Sequence, residues 1–295
     1  MIRAYHDRDA RYLAPIHSAA FPDDPLSPTA FRSMVSAMLG YGGKAWTIMA
    51  GKPAGYALAV PVPGLLHIAD LTCCIAPSWQ RQGLGGRLLQ RVIVDLKETS
   101  VKQLTHEVRA LDSPAAQFLV KHGFFINHEE WLMRRGDLHH LPRPEQPHEE
   151  TADVAAIATL PRREAVTNFR RLFSDSFAGL PWDQPYSENE IESALGDAGD
   201  IFFLMVGSTP AGFAWLHMET GGLGVIEPLG VIPGYQGRGY GRFLLLSALH
   251  ELARRGARHA QIGAWRTNEA AIRLYQSLGF LHQETITFLA YDLAS

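Results

Sequence analysis

The chain predicts a mixed α/β fold (α+β in local organisation), built twice, and three observations carry that expectation. A glycine-rich signature, Gln80-Arg81-Gln82-Gly83-Leu84-Gly85-Gly86, returns as Gln236-Gly237-Arg238-Gly239-Tyr240-Gly241-Arg242 at an offset of 156 residues, and the same offset carries Gly123-Phe124 onto Gly279-Phe280 and Ala20-Phe21 onto Ser176-Phe177. Each signature stands between a short apolar run and a helix-periodic stretch, the order of a strand, a turn and a helix. The length of 295 residues suits two domains. The expected division is an N-terminal domain at 1–136, a linker at 137–150 carrying Pro142, Pro144 and Pro147, and a C-terminal domain at 151–295.

Each repeat opens with a hairpin candidate, Trp46 to Val60 and Ile201 to Met218, with turns at Gly51-Lys52-Pro53 and Gly207-Ser208-Thr209-Pro210. The apolar runs Leu71-Thr72-Cys73-Cys74-Ile75 and Leu229-Gly230-Val231-Ile232 follow as strands, stopped by Pro77 and Pro233. After the glycines come Leu88, Leu89, Val92, Ile93 and Leu96 in one copy and Leu244, Leu245, Ala248, Leu249 and Leu252 in the other, a core-facing helix stripe. Gly256 suits the stop of the second of these helices. A further strand (Thr105 to Arg109; Ala260 to Ala264) and a further helix ending near Gly123 or Gly279 complete each unit.

Net charge is −3, without a run of one sign, which disfavours nucleic acid as a partner. No segment approaches the roughly 18 apolar residues of a membrane span, and Met1 to Leu13 do not resemble a signal peptide. Cysteine is confined to Cys73-Cys74, neither a disulfide framework nor a zinc spacing, and read as core rather than reactive. The thirteen histidines show no metal-ligand spacing. A reducing, cytoplasmic compartment, no metal, and a monomer or homodimer are the expectations.

Glycines between a strand and a helix let backbone N–H groups face a phosphate, and the helix adds its unpaired N–H groups and positive dipole end. Neither the G-x-G-x-x-G dinucleotide fingerprint nor a P-loop Lys-Ser/Thr pair is present. A tight turn that merely needs glycine is the competing explanation. Arg238 and Arg242 stand where they would assist a phosphate, or are ordinary solvated charges.

The pattern Q/R-x-x-G-x-G/A between strand and helix resembles the acetyl-CoA loop of the GNAT superfamily of N-acetyltransferases. So does Asn268-Glu269-Ala270-Ala271-Ile272-Arg273-Leu274-Tyr275-Gln276-Ser277-Leu278-Gly279-Phe280, which is close to N-x-x-A-x-x-L-Y-x-x-x-G-F. The resemblance covers both halves and is most specific from Glu227 to Phe280. It implies two tandem GNAT-like domains, each a twisted mixed sheet flanked by helices. It also implies direct transfer from acetyl-CoA to an amine, with pantetheine beside Leu229-Gly230-Val231 where the strands splay. Pro228 cannot donate a ladder bond, which fits a bulge at that point.

Acetyl transfer requires that the ammonium lose a proton, that an oxyanion find a donor and that the departing thiolate be stabilised. Tyr275 matches the family's tyrosine that serves the thiolate; packing on the core is its competing role. Glu227 stands before the pantetheine strand, where a carboxylate accepts the amine proton directly or through water; an exposed strand-end charge is the alternative. The oxyanion donor would be the backbone N–H of Leu229 or a neighbour. Asn268 suits either a cofactor contact or a helix N-cap. The offset maps Glu227 to Leu71, Asn268 to Asp112 and Tyr275 to Leu119. The N-terminal repeat therefore keeps the loop at Gln80, Arg81, Gln82, Gly83, Leu84, Gly85 and Gly86, a second CoA-site candidate, but loses the proton-moving groups. Phe173 to Glu192, with Phe177, Trp182, Tyr186, Glu188 and Glu190, is either an acceptor-pocket segment or a surface helix. The expected activity is N-acetylation of a small primary amine. Acetylation of a protein N-terminus or lysine, and a non-catalytic acyl-CoA sensor or scaffold, are the competing functions.

Overall fold

The computed structural model describes residues 1–147, 149–180, 191 and 200–293. Its residues divide into two compact units, one of Met1–Asn127 with Thr287–Ser295 and one of His128–Ile286. These bounds differ from the repeat boundaries, because the strand that ends each repeat is built into the unit of the other.

The first unit contains β1 (Ile2–Ala4), α1 (Ala10–Ala20), α2 (Pro28–Gly40), β2 (Lys44–Ala50), β3 (Lys52–Val62), β4 (Leu65–Ile75), α3 (Leu84–Leu96), β5 (Gln103–Val108) and α4 (Pro114–Lys121). In the second lie most of β6 (Phe125–Gly136), then β7 (Ala152–Ala156), α5 (Arg162–Phe177), β8 (Ile201–Val206), β9 (Thr209–Glu219), β10 (Leu223–Val231), α6 (Tyr240–Arg254), β11 (His259–Trp265) and α7 (Glu269–Ser277). The last strand, β12 (Leu281–Asp292), places Thr287–Asp292 beside β5 in the first unit.

Both sheets follow one plan. The first unit orders its strands β1-β2-β3-β4-β5-β12, the second β7-β8-β9-β10-β11-β6. Pairing is antiparallel except for β4 with β5 and β10 with β11. Helices cover both faces of each sheet. In the first unit α3 and α4 pack Leu88, Leu89, Val92, Leu96 and Leu119 on one face, and α1 and α2 pack Leu13, Phe31 and Val35 on the other. In the second unit α6 and α7 pack Leu244, Leu245, Leu249 and Tyr275 on one side, and α5 packs Phe169, Leu172 and Phe173 on the other.

Both helix stripes are buried as periodicity predicts. Both hairpins form, and their turns use Gly51 and Gly207 at φ 75° and 57°, a region that only glycine enters without steric cost. The strands entering the loops are longer than the apolar runs suggest, since β4 begins at Leu65 and β10 at Leu223.

The segment 137–150 is not the bare linker its prolines suggest. Leu138 is buried in the core beside α6, and Leu141 packs against the same cluster. Gln146 exchanges two side-chain bonds with the backbone of Ala152, and His250 reaches the Pro142 carbonyl. Leucines hidden among polar neighbours, and side chains that satisfy backbone groups, dock it onto the second unit.

In the first unit the buried Asp9 accepts from both terminal nitrogens of Arg3 at 2.7 and 2.8 Å, from the His6 amide at 3.0 Å and from the Thr47 hydroxyl at 3.1 Å. Burial is the largest single influence and would raise its carboxyl, but the bonds and charge of Arg3 and the other donors outweigh it and hold the carboxyl below its ordinary value. A carboxyl so depressed contributes stability above its unfolded pKa, and that contribution is lost as pH falls through the folded value. Asp9→Ala is expected to destabilise the first unit by about 2–4 kcal/mol at neutral pH, chiefly through the stranded Arg3. Urea unfolding at pH 7 and pH 3 checks this, because the gap from wild type should narrow at pH 3.

Candidate active site

The loops after β4 and β10 are built alike. Gln236 Nε2 donates to the Val231 carbonyl at 2.7 Å, and Gln80 Nε2 to the Ile75 carbonyl at 3.0 Å. Each glutamine thus ties its loop back to the end of the strand. Gly239 and Gly83 cap α6 and α3 in the left-handed region, at φ 90° and 78°. Two residues earlier Gly237 stands at φ 73°, whereas its counterpart Arg81 holds φ 60° with a side chain. The bend therefore survives in the N-terminal repeat against a steric preference worth about 1–2 kcal/mol.

Several predicted loop contacts have other partners. Arg238 pairs with Glu149 at 2.8 Å, and Arg242 donates to Ser277 Oγ at 3.1 Å. The ring of Tyr240 is buried in the core, which leaves its backbone as the part at the loop. Asn268 caps α7 by accepting from the Ala271 amide at 3.2 Å, the N-cap role. Gly241 lies in the first turn of α6, where an added Cβ would meet Leu274 at 3.5 Å and Val231 at 4.0 Å, ordinary contacts.

Beside the loop the parallel strands part. β10 and β11 pair from Leu223–His259 to Ile226–Ile262, and their pairing stops there among the described residues. Leu229, Gly230 and Val231 continue along β9 alone, opposite Ala214, Phe213 and Gly212. The register shifts between Ile226 and Leu229, so the bulge expected at Pro228 is present. One edge of Leu229–Val231 thereby faces the gap, where a ligand's amide groups would take the place of a neighbouring strand. Gly230 is required by packing as well: a Cβ there would lie 2.8 Å from Ser176 Oγ and 2.9 Å from the Phe213 ring.

A cavity of about 120 Å³ opens at the gap. Glu130, Phe177, Glu227, Leu229, Trp265 and Tyr275 are among its walls. The two residues predicted to move protons therefore share one space, reached from β10 and α7. Glu227 is solvent-exposed at the open mouth, with the cavity walls and Pro228 crowding its inner side. That crowding pushes its carboxyl above the ordinary range, and the neighbouring His217 pulls it partly back; the solvent-exposed tip limits the displacement. His217 Nε2 lies 3.3 Å from the Glu227 carbonyl oxygen, which marks that nitrogen as the protonated one. Tyr275 is 5% exposed and packs on Phe280. Burial first, and the charge of Glu130 second, push its hydroxyl well above 10.

Glu130 escaped the sequence reading. β6 brings it opposite Trp265, and nothing in its local sequence announces that pairing. Trp182, Tyr186, Glu188 and Glu190 lie outside the described residues, whereas Phe177 reaches the cavity from the end of α5.

The first unit repeats the parting of strands, since β4 pairs with β5 only over Ile68–Asp70. There Leu71 and Leu119 are core residues, 2% and 4% exposed. Cys74 is buried, and burial pushes the Cys73 thiol up to about 12, as befits packing rather than reactivity. Among the described residues no helix is long and apolar enough to cross a membrane, and no group of three or more His, Cys, Asp or Glu is placed to hold a metal.

Parallel strands thus separate next to a glycine-built strand-to-helix loop, with Tyr275, Glu130 and Glu227 at the separation. The acetyltransferase (GNAT) family model matches residues 11–124 and 166–280, and the chain belongs to that family. The family fold implies acetyl-CoA as co-substrate and an amine as acceptor. Mycothiol acetyltransferases are similar along most of the chain. That of Nocardia farcinica is 28% identical over 278 residues, covering 89% of this chain and 88% of its own. That of Thermobispora bispora is 30% identical over 218 residues, covering 70% of each. The fold is similar to that of a GCN5-related N-acetyltransferase from Sphaerobacter thermophilus, with a TM-score of 0.68 at 20% identity over 99% of this chain and 95% of that one. It is also similar to a tandem GNAT protein from the clavulanic acid biosynthesis pathway, with a TM-score of 0.66 at 16% identity over 100% and 99%.

Proposed function

We propose that the second unit transfers an acetyl group from acetyl-CoA directly to a primary amine of a small molecule. The observation that carries this is the meeting of Glu227 and Tyr275 in one cavity at the parting of β10 and β11. The loop at Gln236–Gly241, with the start of α6, would hold the diphosphate through backbone N–H groups. Leu229–Val231 would bond the pantetheine arm, and the Leu229 N–H would serve the oxyanion. Glu227 takes the proton from the acceptor ammonium, directly or through water, and the freed amine attacks the thioester carbonyl. Tyr275 then donates a hydrogen bond to the departing thiolate, and the second proton shed by the newly acylated nitrogen passes to the thiolate or to solvent. A phenol above 10 is a weaker acid than a thiol near ~8.5, so its raised pKa favours hydrogen bonding over full proton transfer.

A protein N-terminus or lysine would need an open groove beside Glu227, whereas a small amine needs only the cavity that Glu227 and Tyr275 line. Thiol release from acetyl-CoA across a panel of primary amines tests the reading, with a mycothiol-type amine included because the relatives carry that name. Turnover with a peptide N-terminus or lysine, and none with small amines, would replace it with the protein-directed alternative. Binding without any turnover would leave a sensor or scaffold.

The preserved loop geometry of the first unit supports a second reading for that repeat alone: it holds CoA and does not turn it over. Calorimetric titration with CoA is expected to show two sites per chain. One site, lost on mutation of the Gln236–Gly241 loop, would refute it.

A further inference from the structure

Glu130 is unassigned by the chemistry above, yet it stands in the same cavity. In β6 the side chains alternate between faces. Met133 and Trp131 pack toward the core under α6 and α7. Glu129 follows their parity and pairs with Arg266. Glu130 therefore takes the opposite parity, toward the cavity, across from Trp265.

Its path depends on one residue. The register pairs Gly263 with Leu132 and Trp265 with Glu130, so Glu130 lies diagonally across from Gly263. A Cβ on Gly263 would fall 2.0 Å from Glu130 Oε1. The carboxylate thus lies over bare backbone, in the space that any other residue would fill. The N-terminal repeat lacks this glycine: the same offset gives Glu107, while Glu130 itself corresponds to Ile286 and Tyr275 to Leu119. Glu130, Gly263 and Tyr275 are exchanged together, so the arrangement belongs to the unit that keeps Glu227.

Three neighbouring strands then carry Glu227, Gly263 and Glu130 in turn, on β10, β11 and β6. Both acids line the one cavity, and Trp265 and Phe177 stand among its walls. Carboxylates bounding a half-open space with aromatic faces nearby suit a compact cation. We propose that Glu130 is a specificity-determining residue that receives the cationic nitrogen of the acceptor, across bare backbone supplied by Gly263. Glu227 remains the group that takes the proton. The proposal rests on the acetyltransferase reading and adds that the enzyme selects acceptors by positive charge.

The experiment compares wild type, Glu130→Gln and Gly263→Ala with ethanolamine, 1,2-diaminoethane and glucosamine, by thiol release and by calorimetric titration of each amine into the CoA-loaded protein. Glu130→Gln keeps the shape and removes the charge; Gly263→Ala keeps the charge and displaces it. Both are expected to weaken amine binding and raise amine KM roughly 10- to 100-fold, the worth of a hydrogen bond to a charged group. kcat should change less than about threefold, and KM for acetyl-CoA should hold. Glu130→Asp should recover part of the loss in the presence of Gly263. Unchanged amine affinity in Glu130→Gln overturns the proposal while leaving the acetyltransferase reading intact. A fall in kcat at constant KM also overturns it, because Glu130 would then act on the chemical step. If wild type binds none of the three cations, the proposal fails. If it binds them with a Glu130-dependent affinity but never acetylates them, the reading of the activity fails and charge recognition stands.

Discussion

Glu227→Gln lowers kcat/KM for an amine acceptor by about 10²–10⁴-fold at neutral pH, the range of a lost general base. The amide keeps the size of the carboxylate and its place at the β10 bulge, but it cannot accept the proton. The largest loss is expected where the acceptor is still an ammonium, and it should shrink as pH approaches the acceptor's own pKa. In wild type the acid limb of the rate profile should lie above the ordinary carboxylate range, because burial pushes the Glu227 carboxyl up and His217 only partly offsets this. Folding shows the opposite sign. A carboxyl with a raised folded pKa favours the fold fully below its unfolded value and loses that contribution as pH rises through the folded value. Glu227→Gln should therefore leave thermal stability at pH 7 unchanged or higher, which separates lost chemistry from lost structure. A pH profile identical to that of wild type would remove Glu227 as the base.

What was legible in the sequence was local. The stripes at Leu88–Leu96 and Leu244–Leu252 declare their helices through spacing alone, and glycines mark both hairpin turns. The glutamine that opens each loop is a local device too, reaching back to the carbonyl of the strand before it. Glu227 and Tyr275 could be found because a strand end and a helix motif flagged them, and the fold brings both to one cavity. Glu130 had no such flag. Its place comes from β6 pairing with β11, a long-range antiparallel match between segments distant in the chain. Sequence repeats report homologous segments, and they do not report which unit a terminal strand joins. For the same reason the repeat boundaries and the compact units differ at 128–136 and 287–295. The segment 137–150 misled through composition: three prolines mask the two leucines that dock it. Gly263 shows what pairwise geometry adds, since a lone strand glycine means little until the carboxylate that lies across it is known.

Tyr275→Phe is expected to lower kcat roughly 10- to 150-fold with little change in KM for either substrate. The phenol is held neutral, because burial and then the charge of Glu130 raise its pKa. A neutral phenol gives the emerging thiolate one hydrogen bond, and a bond to a charged group contributes about 1.5–3 kcal/mol. That interval corresponds to roughly a 10- to 150-fold rate difference, which reaches only the lowest part of the range for Glu227→Gln. The ring of phenylalanine preserves the contact with Phe280 and the packing under β10 and β11, so the melting temperature should stay close to that of wild type. Acyl donors with more acidic leaving thiols separate hydrogen bonding from proton transfer. If Tyr275 only bonds to the sulfur, the variant's defect should shrink gradually as the leaving group improves. If it must deliver a proton, the defect should collapse once the thiolate is stable by itself. Single-turnover rates keep the comparison on the chemical step, and an unchanged single-turnover rate in the phenylalanine variant would take Tyr275 out of the reaction.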